Sequence, residues 1–307
     1  MTTSCPVFVP VETSAYSGAT LLSFLLGAHP EIATVGEMDG LIALENPDLY
    51  LCSCGQKIKE CEFWQSVGAA MREQGFEFDV AHFDTKFVLG GPRPIQYLRI
   101  GSFRNNTLDS LRDMIFHAWP GERHQLKILV ARNEAFIKAV LALTGKRVFV
   151  DTSKGHLRAK ALHKFSTLDV RAIHLLRDVR GVVASRLRRN GNIGAAEAAR
   201  QWVRLHQKFQ TALQAWPEEK FIRVRYEDLC RDPQATLKQL YHFCGVDPEI
   251  TIGDFRMIPH HIVGNPMRLN NITEIKLDAR WRSLLTEEQL AEINQIAGPL
   301  SRQYGYN

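Results

Sequence analysis

The sequence lacks any apolar run of the roughly 18 to 20 residues that a membrane-spanning helix needs. No basic segment precedes its short apolar N-terminal stretch, so we expect no signal peptide and a cytoplasmic protein. Its charge excess is small, because 38 lysines and arginines against 33 aspartates and glutamates leave a net charge of +5. A surface that wraps nucleic acid needs clustered, dominant basic residues, so we expect no nucleic-acid partner.

The 307 residues contain no internal repeat, low-complexity tract or Pro/Gly/Ser-rich linker. Short apolar segments alternate with longer helical patterns, which is typical of a parallel sheet built from βαβ units. We predict one α/β domain over residues 1–307, with three αβα layers around a central parallel sheet. Residues 45–104 are rich in Gly, Pro and aromatics, and we predict an irregular insertion or lid there. The oligomeric state is not readable from the sequence.

The short apolar segments predict strands, and the longer helical patterns predict helices. The strands are Val7–Val11, Arg147–Asp151, Val170–Leu176 and Phe221–Arg225. The helices are Gly18–Ala28, Leu157–Lys164, Val179–Arg189, Glu197–Ala215, Gln234–Cys244 and Glu287–Leu300. A second long irregular stretch, Ile252–Asp278, is of the kind that is often functional inside a compact domain.

The first predicted strand runs into a turn of small residues and then an apolar helix, a local shape suited to anion binding. The amides that would surround the anion belong to Ser17, Gly18, Ala19 and Thr20. Glycine at position 18 permits close approach of the backbone to a ligand. The Walker pattern GxxxxGK[ST] is absent, which disfavours an ATPase or GTPase. An ordinary strand-to-helix turn is the alternative interpretation.

Two further strand ends carry groups suited to an anion. The segment VFVDTSK places Lys154 directly after a predicted strand, and VRAIHLLR places Arg177 after the next one. Ser185 follows two turns into the helix beyond Arg177, so its hydroxyl and the guanidinium could hold one phosphate together. Ligands of doubly wound sheets bind at the carboxyl ends of strands. The pattern therefore predicts a phosphate-rich ligand at that edge.

Five segments together resemble the sulfotransferases that use 3'-phosphoadenosine 5'-phosphosulfate. In chain order they read SGATLLSFLLGAHPEIATVGE, VDTSK, LLRDVRGVVASRL, RYEDLCRDPQATLKQLYHFCGV and HHIVGNPMR. The resemblance implies a P-loop-like fold and transfer of a sulfuryl group to a hydroxyl of a carbohydrate or small-molecule acceptor. It also implies that 3'-phosphoadenosine 5'-phosphosulfate is the co-substrate. Amides and cations can stabilise the transferred group, so we expect no required metal. The alternatives are a catalytically impaired nucleotide-binding protein of the same fold, or a P-loop kinase.

The resemblance also assigns the donor-binding residues. It implies that the loop from Ser17 to Thr20 holds the 5'-phosphosulfate, and that Arg177 and Ser185 hold the 3'-phosphate. The loop that closes over the donor contributes Gly264, Asn265 and Arg268. One position departs from the family, because Tyr16 stands where a Lys or Arg usually precedes the Ser-Gly pair. Either Lys154 covers the developing charge alone, or activity is lower, or Tyr16 serves the acceptor.

In-line sulfuryl transfer needs cations at the oxygens that gain charge and a base for the acceptor hydroxyl. Lys154 is the predicted cation. The predicted base is Glu37, in HPEIATVGE, with a structural carboxylate as the alternative. The next candidates for the base are His260 and His261. Aromatic side chains of the insertion could line an acceptor cleft or pack the insertion itself; they are Phe83, Phe87, Tyr97 and Phe103.

Three of the six cysteines, Cys52, Cys54 and Cys61, lie in the segment CSCGQKIKEC. Three thiolates could hold zinc with a further ligand such as His82, but the spacing is not a paired CxxC set. A reducing compartment also disfavours a disulfide framework. We therefore predict free thiols in a tucked loop and no metal site. The basic run RLRRN is interpreted as the solvated end of a helix, where cations suit the dipole.

Overall fold

A computed structural model describes residues 5–39, 46–87, 92, 106–189, 192–214, 216–270 and 273–306. Its strands are β1 (Val7–Glu12), β2 (Ile32–Thr34), β3 (Val148–Asp151), β4 (Asp169–Val170), β5 (Ala172–Leu176) and β6 (Phe221–Arg225). They form one sheet in the order β2-β3-β1-β5-β6, with β4 also paired to β1, and every ladder among them is parallel. The loops after β3, β1 and β5 therefore leave the sheet side by side at one edge.

The helices come in chain order around this sheet. They are α1 (Ala19–Gly27), α2 (Glu62–Glu73), α3 (Asn106–Ala118), α4 (Pro120–Thr144), α5 (His156–Phe165), α6 (Val179–Arg189), α7 (Ala195–Leu213), α8 (Tyr226–Arg231), α9 (Pro233–Cys244), α10 (Trp281–Leu284) and α11 (Glu287–Gln303). A short 3-10 helix covers Pro266–Leu269. No helix within the described ranges is long and apolar enough to cross a membrane.

Side chains alternate between the two faces of the sheet, as the pleat requires. Val7 and Val9 pack with buried residues of α1 and α9, whereas Phe8 and Phe149 pack with those of α2, α4 and α5. A third cluster joins α6, α7 and α11. Helices thus cover both faces of a parallel sheet, which confirms the predicted three-layer α/β architecture.

Two predictions about elements need correction. The strand predicted for Val170–Leu176 is two strands in one register against β1, because Pro10, which lies between the two paired stretches of β1, has no amide hydrogen to donate to the ladder. β4 then pairs with the start of β1 and β5 with its end. The segment 45–104 is not irregular throughout, since α2 occupies 12 residues of its described part. The amphipathic pattern of α2 is visible in the sequence.

Candidate active site

The loops after β1, β3 and β5 border a cleft of about 950 Å³. Residues assigned from the sequence that line it are Tyr16, Gly18, Ala19, Thr20, Glu37, Lys154, Arg177, Ser185 and Asn265. Their positions span most of the chain, and parallel neighbouring strands bring their loops to the same edge. The cleft is of the size that binds a nucleotide-sized ligand.

The β1–α1 loop has the backbone geometry of an anion site. Tyr16 and Gly18 adopt left-handed φ values of 66° and 89°. A Cβ atom on Gly18 would lie 2.4 Å from Cδ2 of Tyr226, so only glycine fits there. Helix α1 begins at Ala19, and first-turn amides have no acceptor within their own helix. These amides and the positive end of the helix dipole favour a bound anion.

Ser17 occupies the same loop, but its side chain faces inward. It is buried, and its hydroxyl lies 2.7 Å from the hydroxyl of Ser14. Ser17 is not among the side chains that line the cleft. Its hydroxyl therefore bonds inside the loop, while the predicted contact of its amide with the anion stays a prediction.

Lys154 and Glu37 face each other in the cleft although 117 residues separate them. Nζ of Lys154 donates to Oε1 of Glu37 at 2.7 Å, and each side chain is about one-fifth exposed. The amide of Glu37 donates to the carbonyl of Val263, and a Cβ atom on Gly264 would lie 3.2 Å from Cδ of Glu37. Glu37 is thus held between Lys154 and the loop around Gly264. The pair supplies a cation and a carboxylate at one point of the cleft.

A buried ionic group lies behind this pair. Arg158 donates to the carboxylate of Asp151 at 2.9 Å and also to Asp39, and its guanidinium is almost fully buried.

Glu12, at the end of β1, has no hydrogen-bond partner for its carboxyl oxygens within the described residues. Burial, reinforced by the charge of Asp151, raises the pKa of Glu12 to about 8. Glu12 is therefore mostly protonated at neutral pH.

Arg177 is held in a fixed orientation at the end of β5. Nη1 donates to the carbonyl of Tyr16 at 2.6 Å, and the guanidinium lies 4.6 Å from the ring centre of Tyr226. Nη2 lies 3.3 Å from a carboxylate oxygen of Asp278. A small pocket beside Arg177 is also lined by Gly181, Ser185, Arg188 and Arg280. The predicted pair Arg177 and Ser185 is therefore together in space.

Two cations of this pocket, Arg188 and Arg280, were not predicted from the sequence. Gly181, Ser185 and Arg188 are spaced four and three residues apart on α6, so they share one helix face. That spacing was the available signal, and it corrects the interpretation of Arg188 as only a solvated helix end. Arg280 carried no comparable signal, because it reaches the pocket from a distant loop where it also binds Asp278.

The loop Gly264–Arg268 is only partly at the cleft. Asn265 lines it, and its Oδ1 accepts from the amide of Met267 at the start of the 3-10 helix. Arg268 is buried instead: Nε and Nη2 donate to the carbonyl of Leu51, and Nη1 donates to the carbonyl of Gly264 at 2.8 Å. Gly264 and Arg268 are not among the residues that line the cleft and they support the loop, while their predicted contacts with the donor stay predictions.

The histidines predicted as alternative bases also lie away from the cleft. Nε2 of His260 is 2.7 Å from the carbonyl of Phe255, and its ring packs edge-on against Phe24. Burial lowers the pKa of His260. His261 lies among the cysteines of the insertion. Neither lines the cleft, so Glu37 is the base candidate that the geometry retains.

The aromatic residues proposed for an acceptor cleft have different locations. Phe83 is fully buried and packs on Trp64 and Phe136, and Phe87 packs against the same core cluster. Their role is to pack the insertion, which was the alternative interpretation. Tyr97 and Phe103 lie outside the described residues.

Comparisons with known proteins give a family match and a fold. The model of the sulfotransferase family matches residues 104–249. Carbohydrate sulfotransferase 7 of Mus musculus is 28% identical over 102 residues, covering 32% of this chain and 21% of that protein. Carbohydrate sulfotransferase 3 of Homo sapiens is 26% identical over 164 residues, covering 45% and 34%. This chain therefore spans about a third or less of the length of these relatives.

A similarity in fold covers nearly the whole chain. The sulfotransferase domain from the curacin biosynthetic pathway superposes with a TM-score of 0.54 at 16% identity, covering 98% of both chains. The sulfotransferase resemblance predicted from the five segments and the predicted fold class are thereby confirmed.

Proposed function

We propose that this protein transfers the sulfuryl group of 3'-phosphoadenosine 5'-phosphosulfate to a hydroxyl of a carbohydrate or small-molecule acceptor. The observation that carries the proposal is the meeting of three groups in one cleft. These are the amide turn at Gly18, the Lys154–Glu37 pair, and Arg177 with Ser185. The matched sulfotransferase family and the carbohydrate sulfotransferases of similar sequence support this chemistry.

Each group has a defined task in this proposal. The amides of the β1–α1 turn bind the 5'-phosphosulfate, and Arg177, Ser185 and Arg188 bind the 3'-phosphate. Glu37 accepts the proton of the acceptor hydroxyl as its oxygen bonds to sulfur. The bond from sulfur to the 5'-phosphate oxygen breaks, and Lys154 stabilises the charge that develops there. Lys154 and Glu37 neutralise each other in the contact that the structure shows, and substrates would replace that contact.

Tyr16 supports a second candidate function, a nucleotide-binding protein that has lost catalysis. Tyr16 lines the cleft where the family usually has a cation, and a phenol donates one hydrogen bond but carries no positive charge. Against this, Lys154 stands at the same cleft beside a carboxylate. Nucleotide binding without transfer to any acceptor in a labelled-donor screen would favour the second candidate.

Calorimetry with two nucleotides tests the proposal. The wild-type protein is expected to bind 3'-phosphoadenosine 5'-phosphate more tightly than adenosine 5'-phosphate. Arg177→Ala is expected to weaken the first by about 10- to 100-fold and the second by much less, because a charged hydrogen bond contributes about 1.5 to 3 kcal/mol. Arg186→Ala, on the same helix but not lining the cleft, is the matched control. Equal losses for both nucleotides, or no binding by folded wild-type protein, would contradict the proposal.

A further inference from the structure

Four side chains that the proposed transfer does not use meet beside the loop Gly264–Arg268: Cys52, Cys54, Cys61 and His261. Their ligand atoms all lie within 4.8 Å of one another. The Sγ atoms of Cys54 and Cys61 are 3.7 Å apart. Nδ1 of His261 lies 3.3 Å from Sγ of Cys61 and 3.7 Å from Sγ of Cys52. The cluster therefore offers three thiols and one imidazole to a common centre.

These separations fit a tetrahedron. Zinc binds cysteine sulfur at about 2.3 Å and histidine nitrogen at about 2.0 to 2.1 Å, so tetrahedral edges are about 3.8 Å between sulfurs and about 3.5 Å between sulfur and nitrogen. The separations of 3.7, 3.3 and 3.7 Å lie near those values. A disulfide needs sulfurs about 2.05 Å apart, well inside the separation of Cys54 and Cys61. Three cysteines with one histidine are a common donor set for structural zinc.

We propose that Cys52, Cys54, Cys61 and His261 form a structural zinc site with four protein ligands. This proposal departs from the sequence-based prediction of free thiols without a metal. It also replaces the suggested fourth ligand, because His82 is exposed and its Nδ1 bonds to Asp79 at 2.7 Å. Spacing does not reveal His261, since 200 residues separate it from Cys61.

The local backbone presents the ligands in an ordered way. The amide of Cys52 donates to the carbonyl of Gln56, and the amide of Gly55 donates back to the carbonyl of Cys52, which closes a tight turn around Cys54. Gly55 adopts a left-handed φ of 89° in that turn. Cys61 is the N-cap of α2. The ring of His261 stacks on Phe63 with centres 4.2 Å apart and planes inclined by 6°, which fixes the imidazole.

The site joins the insertion to the loop that borders the proposed donor cleft. Ser53, between two of the ligands, donates to the carbonyl of His260 and accepts from the amide of Ile262, both at 2.7 Å. The loop continues to Val263, whose carbonyl binds the amide of Glu37, and to Asn265 at the cleft. The ion would hold this loop in place. Its presence does not depend on the proposed function, but its effect on donor binding does.

Metal analysis of the protein purified under reducing conditions, from cells supplied with zinc, tests the site. We expect about one zinc per chain after dialysis against metal-free buffer. Cys54→Ser and His261→Ala are expected to lose it. Cys5→Ser and His82→Ala, which change a cysteine and a histidine outside the cluster, are expected to retain it. Wild-type protein without stoichiometric zinc, or zinc retained in Cys54→Ser, would overturn the proposal.

Cobalt substitution keeps the test valid if a variant fails to fold. Wild-type protein loaded with Co²⁺ is expected to show intense tetrahedral d–d absorption and thiolate-to-cobalt charge transfer. A weak octahedral spectrum, or a disulfide between Cys54 and Cys61 found by mass spectrometry in unreduced protein, counts against the site. Zinc-loaded protein that binds no 3'-phosphoadenosine 5'-phosphate would contradict the proposed function and leave the zinc site standing.

Discussion

The two sides of the loop Gly264–Arg268 are built in different ways. On the cleft side, the groups come from strand–turn–helix units whose strands β3, β1 and β5 are neighbours. Each turn reaches the site because it directly follows its strand, and parallel strands end at the same edge of the sheet. On the insertion side, a turn around Cys54 meets His261 through tertiary packing alone. Local motifs therefore reveal the chemistry of the sheet edge, whereas the cysteine cluster forms only when distant segments pack together.

The largest effect is expected on the cleft side, for Lys154→Ala. Removing this cation should lower kcat by about 10²- to 10³-fold, the effect of losing one preorganised donor to developing charge. Steady-state assays with labelled donor measure it, once an acceptor is found. Lys164→Ala, a basic residue of α5 that does not line the cleft, is the control and should leave kcat unchanged. Turnover near wild type in Lys154→Ala would remove Lys154 from the mechanism.

Glu37→Gln sharpens the assignment of the base. It should lower kcat by about 10²-fold, since general-base catalysis contributes at least that much, and should leave affinity for 3'-phosphoadenosine 5'-phosphate within a few-fold. Glu37→Asp keeps a carboxylate and is expected to recover part of the rate. An unchanged kcat in Glu37→Gln would mean that this carboxylate has a structural role only.

Arg268→Ala tests the contact between the insertion and the loop Gly264–Arg268. Its guanidinium bonds the carbonyls of Leu51 and Gly264 and lies 4.1 Å from the ring centre of Tyr50. The variant should lose about 2 kcal/mol of unfolding free energy, because buried carbonyls would lose charged donors. Urea denaturation measures it, with nucleotide affinity alongside. Weaker nucleotide binding at unchanged stability would instead restore Arg268 as a direct donor contact.

Glu12→Gln tests the buried carboxyl beneath the cleft. The pKa of Glu12 is about 8 in the folded state against 4.5 as the ordinary value, so folding retains a proton that the unfolded chain releases. Wild-type stability therefore falls through this group as pH rises from about 4.5 towards about 8. The variant lacks that dependence and should gain about 1.3 kcal/mol per pH unit relative to wild type between pH 5 and pH 7. An equal difference between variant and wild type at both pH values would contradict the buried protonated state.

Prediction from sequence succeeded where one short segment determined the geometry. The residues predicted in this way do line one cleft: Gly18 in its turn, Lys154 at a strand end, and Arg177 with Ser185 from their spacing. It failed where orientation depended on distant partners. Arg268 belongs to a family-like motif, yet the carbonyl of Leu51, 217 residues away, accepts two of its hydrogen bonds. Strand β2 was missed because three residues are too few to show a period.

The layers, the parallel sheet and the phosphate-suited edge follow from local sequence, because alternation and small-residue turns act over a few neighbouring residues. Three features appear only in the folded chain: Glu37 meets Lys154, His260 does not line the cleft, and His261 joins the cysteine cluster. Each of these depends on how distant segments pack. Packing selects among side-chain positions that the local sequence leaves equally open.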